Sequence, residues 1–235
     1  MFIGHFAVGL AAKRAAPRTS IGSLTLAAVF LDALWPLFLL LGLERAEVAP
    51  GSPNSFLFLN FTYYPISHSL VMAVVWSVVF AFVYRVRTHY GPGTLWVGLL
   101  VLSHWVLDFL VHVQDLPLWP GGPKVGLGLW NLPAVVVVLE SAMFLAGVWI
   151  YASMTRPRNR VGKAALWAYA LVLALLYVAD ATSKSPPPSI TVVALTGIVA
   201  WLFAPWAYWI DFNRELREPR VIAQQTSGAS PARVR

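Results

Sequence analysis

Six apolar segments recur along this chain, and each is long enough to cross the roughly 30 Å hydrocarbon core of a bilayer as a helix. They cover residues 21–43, 66–86, 93–113, 132–154, 163–180 and 190–210. Because backbone groups in lipid must be hydrogen-bonded within the protein, such segments fold as helices that pack together. The sequence therefore predicts an all-α fold, a polytopic membrane helical bundle of about six transmembrane helices.

The composition supports a membrane protein and limits its chemistry. Apolar residues make up 58% of the 235 residues and charged residues only 11%, whereas soluble domains carry about 25% charged residues. There are no cysteines. This excludes thiolate catalysis, iron–sulfur clusters and zinc–thiolate sites, so any metal here must be bound by nitrogen and oxygen atoms.

A seventh apolar segment, residues 2–12, is too short to cross a bilayer. We interpret it as an N-terminal half-helix or an interfacial helix that ends at Lys13 and Arg14. We divide the chain into a membrane core over 1–155, an additional two-helix membrane segment over 156–212 and a polar cytoplasmic tail over 213–235.

Basic residues are distributed unequally between the two sides of the predicted bundle. Three of the 17 lysines and arginines, Arg45, Lys124 and Lys184, lie in connections on one side, and the other fourteen lie on the opposite side. The positive-inside rule then places both termini in the cytoplasm. The net charge is +7, but the basic residues lie in the connections and not along one helix face. We therefore expect membrane lipids as partners and no nucleic acid.

Ionisable residues inside spans are costly and mark candidate functional sites. The candidates are His5, Asp32, His68, His104, Asp108, His112 and Glu140. With a rise of 1.5 Å per residue, Asp32, His104 and Glu140 lie roughly 12–17 Å below the outer helix ends. We expect these side chains to meet in one pocket that opens outward, and we interpret His89, Asp180 and Asp211 as solvated.

The third span carries the most specific pattern, His104-x3-Asp108-x3-His112. Residues four apart share a helix face, but the direction drifts along the helix, so one ion would be bound by two of the three. Imidazole with carboxylate suits Zn²⁺, Mn²⁺ or Fe²⁺. The simpler interpretation is that His104 and Asp108 form a buried hydrogen-bonded pair that joins helices.

Four short motifs, in this order and spacing, resemble those of the bacterial family of inner-membrane metal-dependent hydrolases, which are distantly similar to zinc-dependent phospholipases C. The motifs are Gly4-His5-Phe6-Ala7, Phe30-Leu31-Asp32, Ile66-Ser67-His68-Ser69-Leu70 and Leu102-Ser103-His104-Trp105-Val106-Leu107-Asp108. The resemblance covers roughly residues 1–150. It departs in the first span, where Leu31 and Leu34 stand in place of a proline and a second acid.

The resemblance implies that the protein lies in the bacterial inner membrane. It also implies five metal-ligand or active-site residues: His5, Asp32, His68, His104 and Asp108. We expect a divalent ion, Zn²⁺ or alternatively Mn²⁺ or Fe²⁺, that lowers the pKa of bound water toward about 7. Asp108 is either a further ligand or the catalytic base, and Glu140 is a second catalytic candidate. The expected substrate is an ester or phosphodiester of a lipid or lipid-linked molecule in the outer half of the bilayer.

Two other interpretations of the same residues stay open. Histidine and aspartate within a bundle also serve transporters and ion pathways. A catalytically inactive scaffold would use the polar cluster only to fix helix packing. The sequence does not determine the metal, the substrate, the oligomeric state or the role of the last two spans.

Overall fold

The computed structural model describes residues 1–217, and it is a bundle of helices. The helices are α1 (Ile3–Ala11), α2 (Ile21–Ala28), α3 (Phe30–Leu40), α4 (Pro65–His68), α5 (Leu70–Thr88), α6 (Gly91–Val111), α7 (Pro133–Met154), α8 (Arg160–Ala181), α9 (Ile190–Val199) and α10 (Phe203–Phe212). Between α9 and α10 a single 3-10 turn continues the helical path, so the two form one span over Ile190–Phe212.

The number of spans agrees with the prediction. Within residues 1–217 five helices are long and apolar enough to cross a membrane, and the pair α2–α3, which is bent by 57°, makes a sixth if the two helices form one span. The bend lies at Val29, whose backbone leaves the helical conformation between the two helices. The predicted all-α membrane bundle is therefore confirmed, with a first span that is broken rather than straight.

The outer surface of the bundle is apolar, as a lipid-facing surface requires. Large side chains such as Phe82, Val138 and Trp149 are each about two thirds exposed (67%, 70% and 68%). Of the nineteen residues of α5, only Ala73 is buried. Apolar exposure on this scale is not found on soluble monomers, and it supports an integral membrane protein.

The half-helix α1 lies inside the bundle, packed on α7 and α2. Seven of its nine residues are buried. Close approach to α7 depends on Gly147, because a Cβ at this position would lie 2.5 Å from the carbonyl oxygen of Ala7. Small residues allow helices in membranes to pack at short distance, and here one of them seats the helix that carries His5.

Short antiparallel strand pairs lie at both ends of the bundle. At the end that we call the outer end, β1 (Arg45–Val48) pairs with β2 (Leu59–Tyr63), and β3 (Leu116–Pro117) pairs with β4 (Lys124–Val125). At the opposite end β5 (Thr155–Pro157) pairs with β6 (Arg214–Leu216). The first residues of the predicted polar tail are thus part of the fold, and the rest of it, 218–235, lies outside the described residues.

The last two spans pack on the first span. The α9 helix lies against α3 and α10 lies against α2, and the Trp201 indole donates a hydrogen bond to the carbonyl of Ala33 (2.9 Å). The segment 156–212 therefore belongs to the same bundle as residues 1–155.

Asp211 is not solvated, contrary to our interpretation. Its carboxylate accepts hydrogen bonds from Lys13 Nζ (2.7 Å) and the Tyr151 hydroxyl (3.0 Å). Lys13 is itself buried and also donates to the carbonyl of Thr19. The sequence does not show this pair because 198 residues separate its members.

Candidate metal centre

Five side chains from four helices converge near the middle of the bundle. His5 comes from α1, Asp32 from α3, His68 from α4, and His104 and Asp108 from α6. Asp32 Oδ1 lies 3.4 Å from His68 Nε2 and 3.6 Å from His104 Nε2. Asp108 Oδ2 lies 3.1 Å from His104 Nε2 and 3.8 Å from His68 Nε2. The structure thus brings together all five residues that the sequence analysis selected as ligands.

The arrangement on α6 follows from helical spacing. His104 and Asp108, four residues apart, share one face, and both are buried. His112 follows the last residue of the helix and turns away, with Nδ1 at 2.9 Å from Asp115 Oδ1. As predicted, two of the three ligand-type side chains on this segment face the same point.

A helix break positions both Asp32 and His104. The carbonyl of Ala28, the last residue of α2, accepts a hydrogen bond from His104 Nδ1 (2.8 Å). The nitrogen that faces the centre is therefore Nε2, with its lone pair available to a cation. Asp32 lies in the first turn of α3, where the positive end of the helix dipole stabilises a carboxylate.

His68 is oriented by a buried hydrogen-bonded chain. Glu44 accepts hydrogen bonds from the backbone of Ile66 and Ser67 (both 2.7 Å) and from the Ser67 hydroxyl (2.6 Å). Since that hydroxyl hydrogen is donated to Glu44, the Ser67 oxygen accepts from His68 Nδ1 at 2.7 Å. His68, like His104, is thereby fixed with Nε2 toward the centre.

The sequence analysis missed Glu44. It lies just after the first apolar segment, where an acid is ordinarily solvated, yet it is 2% exposed. In the sequence, the only indication is an acidic residue next to the end of a span, on the side that carries few basic residues. Its contact with Ser67 depends on the β1–β2 hairpin, which returns the chain 23 residues later.

His5 lies at the back of the centre. Its ring stacks on that of His104 with 3.7 Å between centroids, and its Nε2 lies 3.0 Å from Asp108 Oδ1. The same oxygen accepts a hydrogen bond from the α-amino group of Met1 (2.6 Å). Met1 and His5 are both buried. The N-terminal segment therefore contributes to the centre through the Met1 amino group as well as through His5.

Glu140 lies beside the centre and is bound to the backbone of the N-terminal segment. Its Oε2 accepts hydrogen bonds from the backbone N–H groups of Phe2 (2.8 Å) and Gly4 (3.0 Å). This carboxylate therefore holds the beginning of α1. Its catalytic role stays a prediction.

The residues fit a divalent ion. Zinc bonds of about 2.0–2.1 Å in tetrahedral geometry place ligand atoms roughly 3.3–3.4 Å apart. The contacts of Asp32 and Asp108 with His104 and His68 run from 3.1 to 3.8 Å and bracket this separation. Two sets of three ligand atoms, each set within 4.8 Å, share His104: His5, Asp32 and His104, and His68, His104 and Asp108. His104 is fully buried, and among residues 1–217 its Nε2 makes no well-aligned hydrogen bond, although Asp108 Oδ2 lies 3.1 Å away.

A cavity of about 500 Å³ connects this centre with the outer end of the bundle. Asp32, His68 and Asp108 form part of its floor, and aromatic side chains of the β1–β2 connection form part of its wall. The volume is in the range of small-molecule sites. The last two spans also contribute to the wall, through Val193 and Thr196 of α9.

A cluster of polar side chains around His112 lies at the cavity wall above the centre. His112 is 4% exposed, and its ring lies against Trp130 with 4.0 Å between centroids. The Tyr64 hydroxyl lies 3.5 Å from Asp115 Oδ1 and 3.4 Å from His112 Nδ1. Burial, followed by the neighbouring Asp115 carboxylate, raises the pKa of the Tyr64 hydroxyl well above its usual range, so it remains a hydrogen-bond donor.

Comparisons of the chain with protein-family models, with curated proteins and with solved structures found no match. The function must therefore be argued from the centre and its cavity.

Proposed function

We propose that the protein is an integral-membrane, metal-dependent hydrolase that acts on an ester or phosphodiester of a lipid or lipid-linked molecule. One observation carries this proposal: imidazole nitrogens and carboxylate oxygens from four helices converge at the floor of a cavity, in two groups of three ligand atoms that lie within 4.8 Å of one another and share His104.

His68, His104 and Asp32 would hold the ion, with His5 and Asp108 completing or supporting the ligand set. A divalent cation of this kind supplies a Lewis acid and makes water a nucleophile at neutral pH. We assign it as Zn²⁺, with Mn²⁺ or Fe²⁺ as alternatives, because the donor set is nitrogen and oxygen.

Asp108 is the best-placed residue to move a proton. One of its oxygens faces the two histidine Nε2 atoms, and the other accepts from His5 and from the Met1 amino group. An acid within hydrogen-bond reach of the attacking water can act as the general base.

The position of the cavity supports a membrane substrate. It opens at the outer end, beside connections that carry aromatic residues such as Phe56, Phe61 and Trp130. By the charge asymmetry of the sequence this end faces away from the cytoplasm, in the inner membrane of a bacterium. A lipid headgroup would reach the floor while its chains remain against the apolar wall.

Elemental analysis of the purified protein tests this proposal. We expect a near-stoichiometric divalent metal in the wild type and its loss in His104→Ala. His104→Asn is the more selective variant, because its amide can still donate to the Ala28 carbonyl in place of Nδ1 while it lacks Nε2. His89→Asn is the matched control, since His89 lies at the exposed C-cap of α5 with a left-handed backbone that asparagine tolerates.

Hydrolysis is measured in parallel with bis(p-nitrophenyl) phosphate and a chromogenic ester. We expect turnover that chelators abolish and that zinc restores in the wild type but not in His104→Asn. A folded, metal-free wild-type protein that ignores chelators would contradict the proposal. If reconstituted vesicles instead took up a divalent ion, and Asp32→Asn abolished that uptake, the protein would be a transporter.

A further inference from the structure

The cavity wall above the metal centre offers hydrogen-bond acceptors to a ligand. Glu140 is 1% exposed and lines the cavity, and its Oε2 takes both backbone hydrogen bonds. Within residues 1–217 no hydrogen bond occupies the other oxygen, Oε1. The carboxylate of Asp180 also lines the cavity, at the end of α8.

His112 adds a third acceptor to this wall. Its Nδ1 lies 2.9 Å from a carboxylate oxygen of Asp115, so the ring hydrogen is on Nδ1 and is donated to that oxygen. The remaining nitrogen, Nε2, has no hydrogen-bond partner in the described part of the chain. Because His112 lines the cavity and is otherwise buried, Nε2 of the neutral ring is an acceptor that a ligand can satisfy.

The same wall lacks the cationic side chains that commonly bind an anion. Among residues 1–217, no lysine or arginine side chain lines the cavity. Lys124, the lysine of the neighbouring outer connection, instead donates to the backbone carbonyls of Phe61 and Thr62 (3.0 and 3.1 Å). The Met1 amino group is bound to Asp108. A second anionic group on a ligand would meet two carboxylates and no free cationic side chain.

We infer that the cavity selects a headgroup that carries hydrogen-bond donors, a hydroxyl or an ammonium group, which His112, Glu140 and Asp180 accept beside the scissile bond. This inference rests on the proposed function, since it places the scissile group at the metal centre. Asp180 is exposed, whereas Glu140 and His112 are buried apart from the cavity. Buried acceptors of this kind discriminate strongly, because a bound analogue without the donor would cover them and leave them unpaired.

The experiment uses the full-length, metal-loaded protein in detergent and short-chain phospholipids with identical acyl chains. Phosphatidylglycerol and phosphatidylethanol carry the same net charge and differ in the hydroxyl groups of the headgroup. Phosphatidylethanolamine adds an ammonium group to the same two-carbon headgroup. Binding constants are measured for all three, and for phosphatidic acid as the lipid with a compact, more highly charged headgroup.

We expect phosphatidylglycerol, phosphatidylethanolamine or both to bind at least about tenfold more tightly than phosphatidylethanol, as a lost buried hydrogen bond implies. Preference for the first identifies a hydroxyl as the donor, and preference for the second identifies an ammonium group. In His112→Asn, which keeps the bond to Asp115 but lacks Nε2, the preference should fall severalfold with metal content unchanged. His89→Asn should retain it.

Equal affinity for the three lipids, no measurable binding, or tightest binding of phosphatidic acid would overturn the inference. So would a preference that His112→Asn and Glu140→Gln leave unchanged. Metal content and bis(p-nitrophenyl) phosphate turnover are recorded on the same samples, and this probe carries no donor. A failure of the hydrolase proposal therefore shows in those two measurements, whereas a failure of headgroup selection shows only in the lipid series.

Discussion

The two histidines that face the centre are each held through one ring nitrogen and present the other. His104 is fixed by a backbone carbonyl and His68 by the Ser67 hydroxyl, which Glu44 orients in turn. Partners of this kind fix the tautomer and direction of a ligating imidazole, and their loss typically weakens metal binding about 10–100-fold. The orientation of these two histidines therefore depends on residues that are not themselves part of the centre.

Ser67→Ala tests this dependence. We expect its zinc affinity to fall about 10–100-fold, because His68 loses the acceptor that fixes its Nδ1, while Ser67→Thr retains the hydroxyl and much of the affinity. Ser103→Ala is the matched control, since the Ser103 hydroxyl donates only to Leu100 within its own helix. Affinity is measured by competition with a zinc chelator, and equal affinity of Ser67→Ala and the wild type would refute the role.

At the residue scale the sequence allowed the side chains that converge to be predicted, but not the residues that orient them. His104 and Asp108 are four apart on a helix, so their common face follows from the spacing alone. Glu44 and Ser67 are joined through a hairpin whose register depends on a bulge between Arg45 and Glu47. Contacts of that kind depend on tertiary geometry, which a single sequence does not display.

At the scale of elements, the half-helix α1 is the least conventional part of the bundle. It is too short to span a membrane, yet it is almost entirely buried and brings His5 against His104. Two features hold it in place: the Glu140 carboxylate at its beginning, and the close contact between Gly147 and the Ala7 backbone. The geometry of the centre should therefore respond to changes in α7 that touch no ligand.

Gly147→Ala makes that response measurable. The added Cβ would lie 2.5 Å from the Ala7 carbonyl oxygen, so α1 must shift, and we expect a loss of about 1–3 kcal/mol in stability from overpacking. Zinc affinity should fall severalfold because His5 moves with the helix. Gly91→Ala is the control, since nothing lies within 4 Å of a Cβ there. An unchanged affinity in Gly147→Ala would show that α1 does not position the centre.

At the scale of the whole molecule, a buried ion pair joins the beginning of the chain to its last helix. Lys13 and Asp211 have side chains only 6% and 16% exposed and meet at 2.7 Å. Removing one partner of a buried pair leaves the other charge desolvated and costs about 3–5 kcal/mol, whereas exposed pairs contribute about 0–1 kcal/mol. The packing of the last two spans on the first span should therefore depend on Lys13.

We expect Lys13→Met to destabilise the protein by about 3 kcal/mol, measured as the free energy of unfolding in mixed detergent micelles. Arg156→Met is the matched comparison, because Arg156 pairs with Glu215 at the same 2.7 Å but is 60% exposed. Its effect should stay below about 1 kcal/mol. Similar losses in the two variants would indicate that burial does not determine the strength of the Lys13 pair.

The orientation in the membrane rests on the charge asymmetry and can be tested directly, since the protein contains no cysteine. Lys184→Cys, in the exposed connection after α8, should react with an impermeant maleimide on intact spheroplasts. Thr88→Cys, at the exposed end of α5, should react only after permeabilisation. The reverse pattern would place the cavity mouth on the cytoplasmic side.

The approximate span count and the short N-terminal helix could be predicted because they depend on the length of apolar runs. The 57° bend could not, since no proline or glycine marks Val29. Nor could the packing of α9 on α3 or the burial of Asp211, which arise from contacts between distant parts of the chain.

The bend at Val29 has a consequence for how this protein could change over time. Ala28 is the last residue of α2, halfway along the first span, where a backbone carbonyl must be hydrogen-bonded within the protein. The His104 ring supplies that hydrogen bond. A related protein that had lost the proposed hydrolase activity would still need a hydrogen-bond donor for the Ala28 carbonyl. Either His104 would be kept because its Nδ1 donates to the Ala28 carbonyl, or the first span would straighten. In a straight span Asp32, three residues after the bend, would no longer lie at its present position.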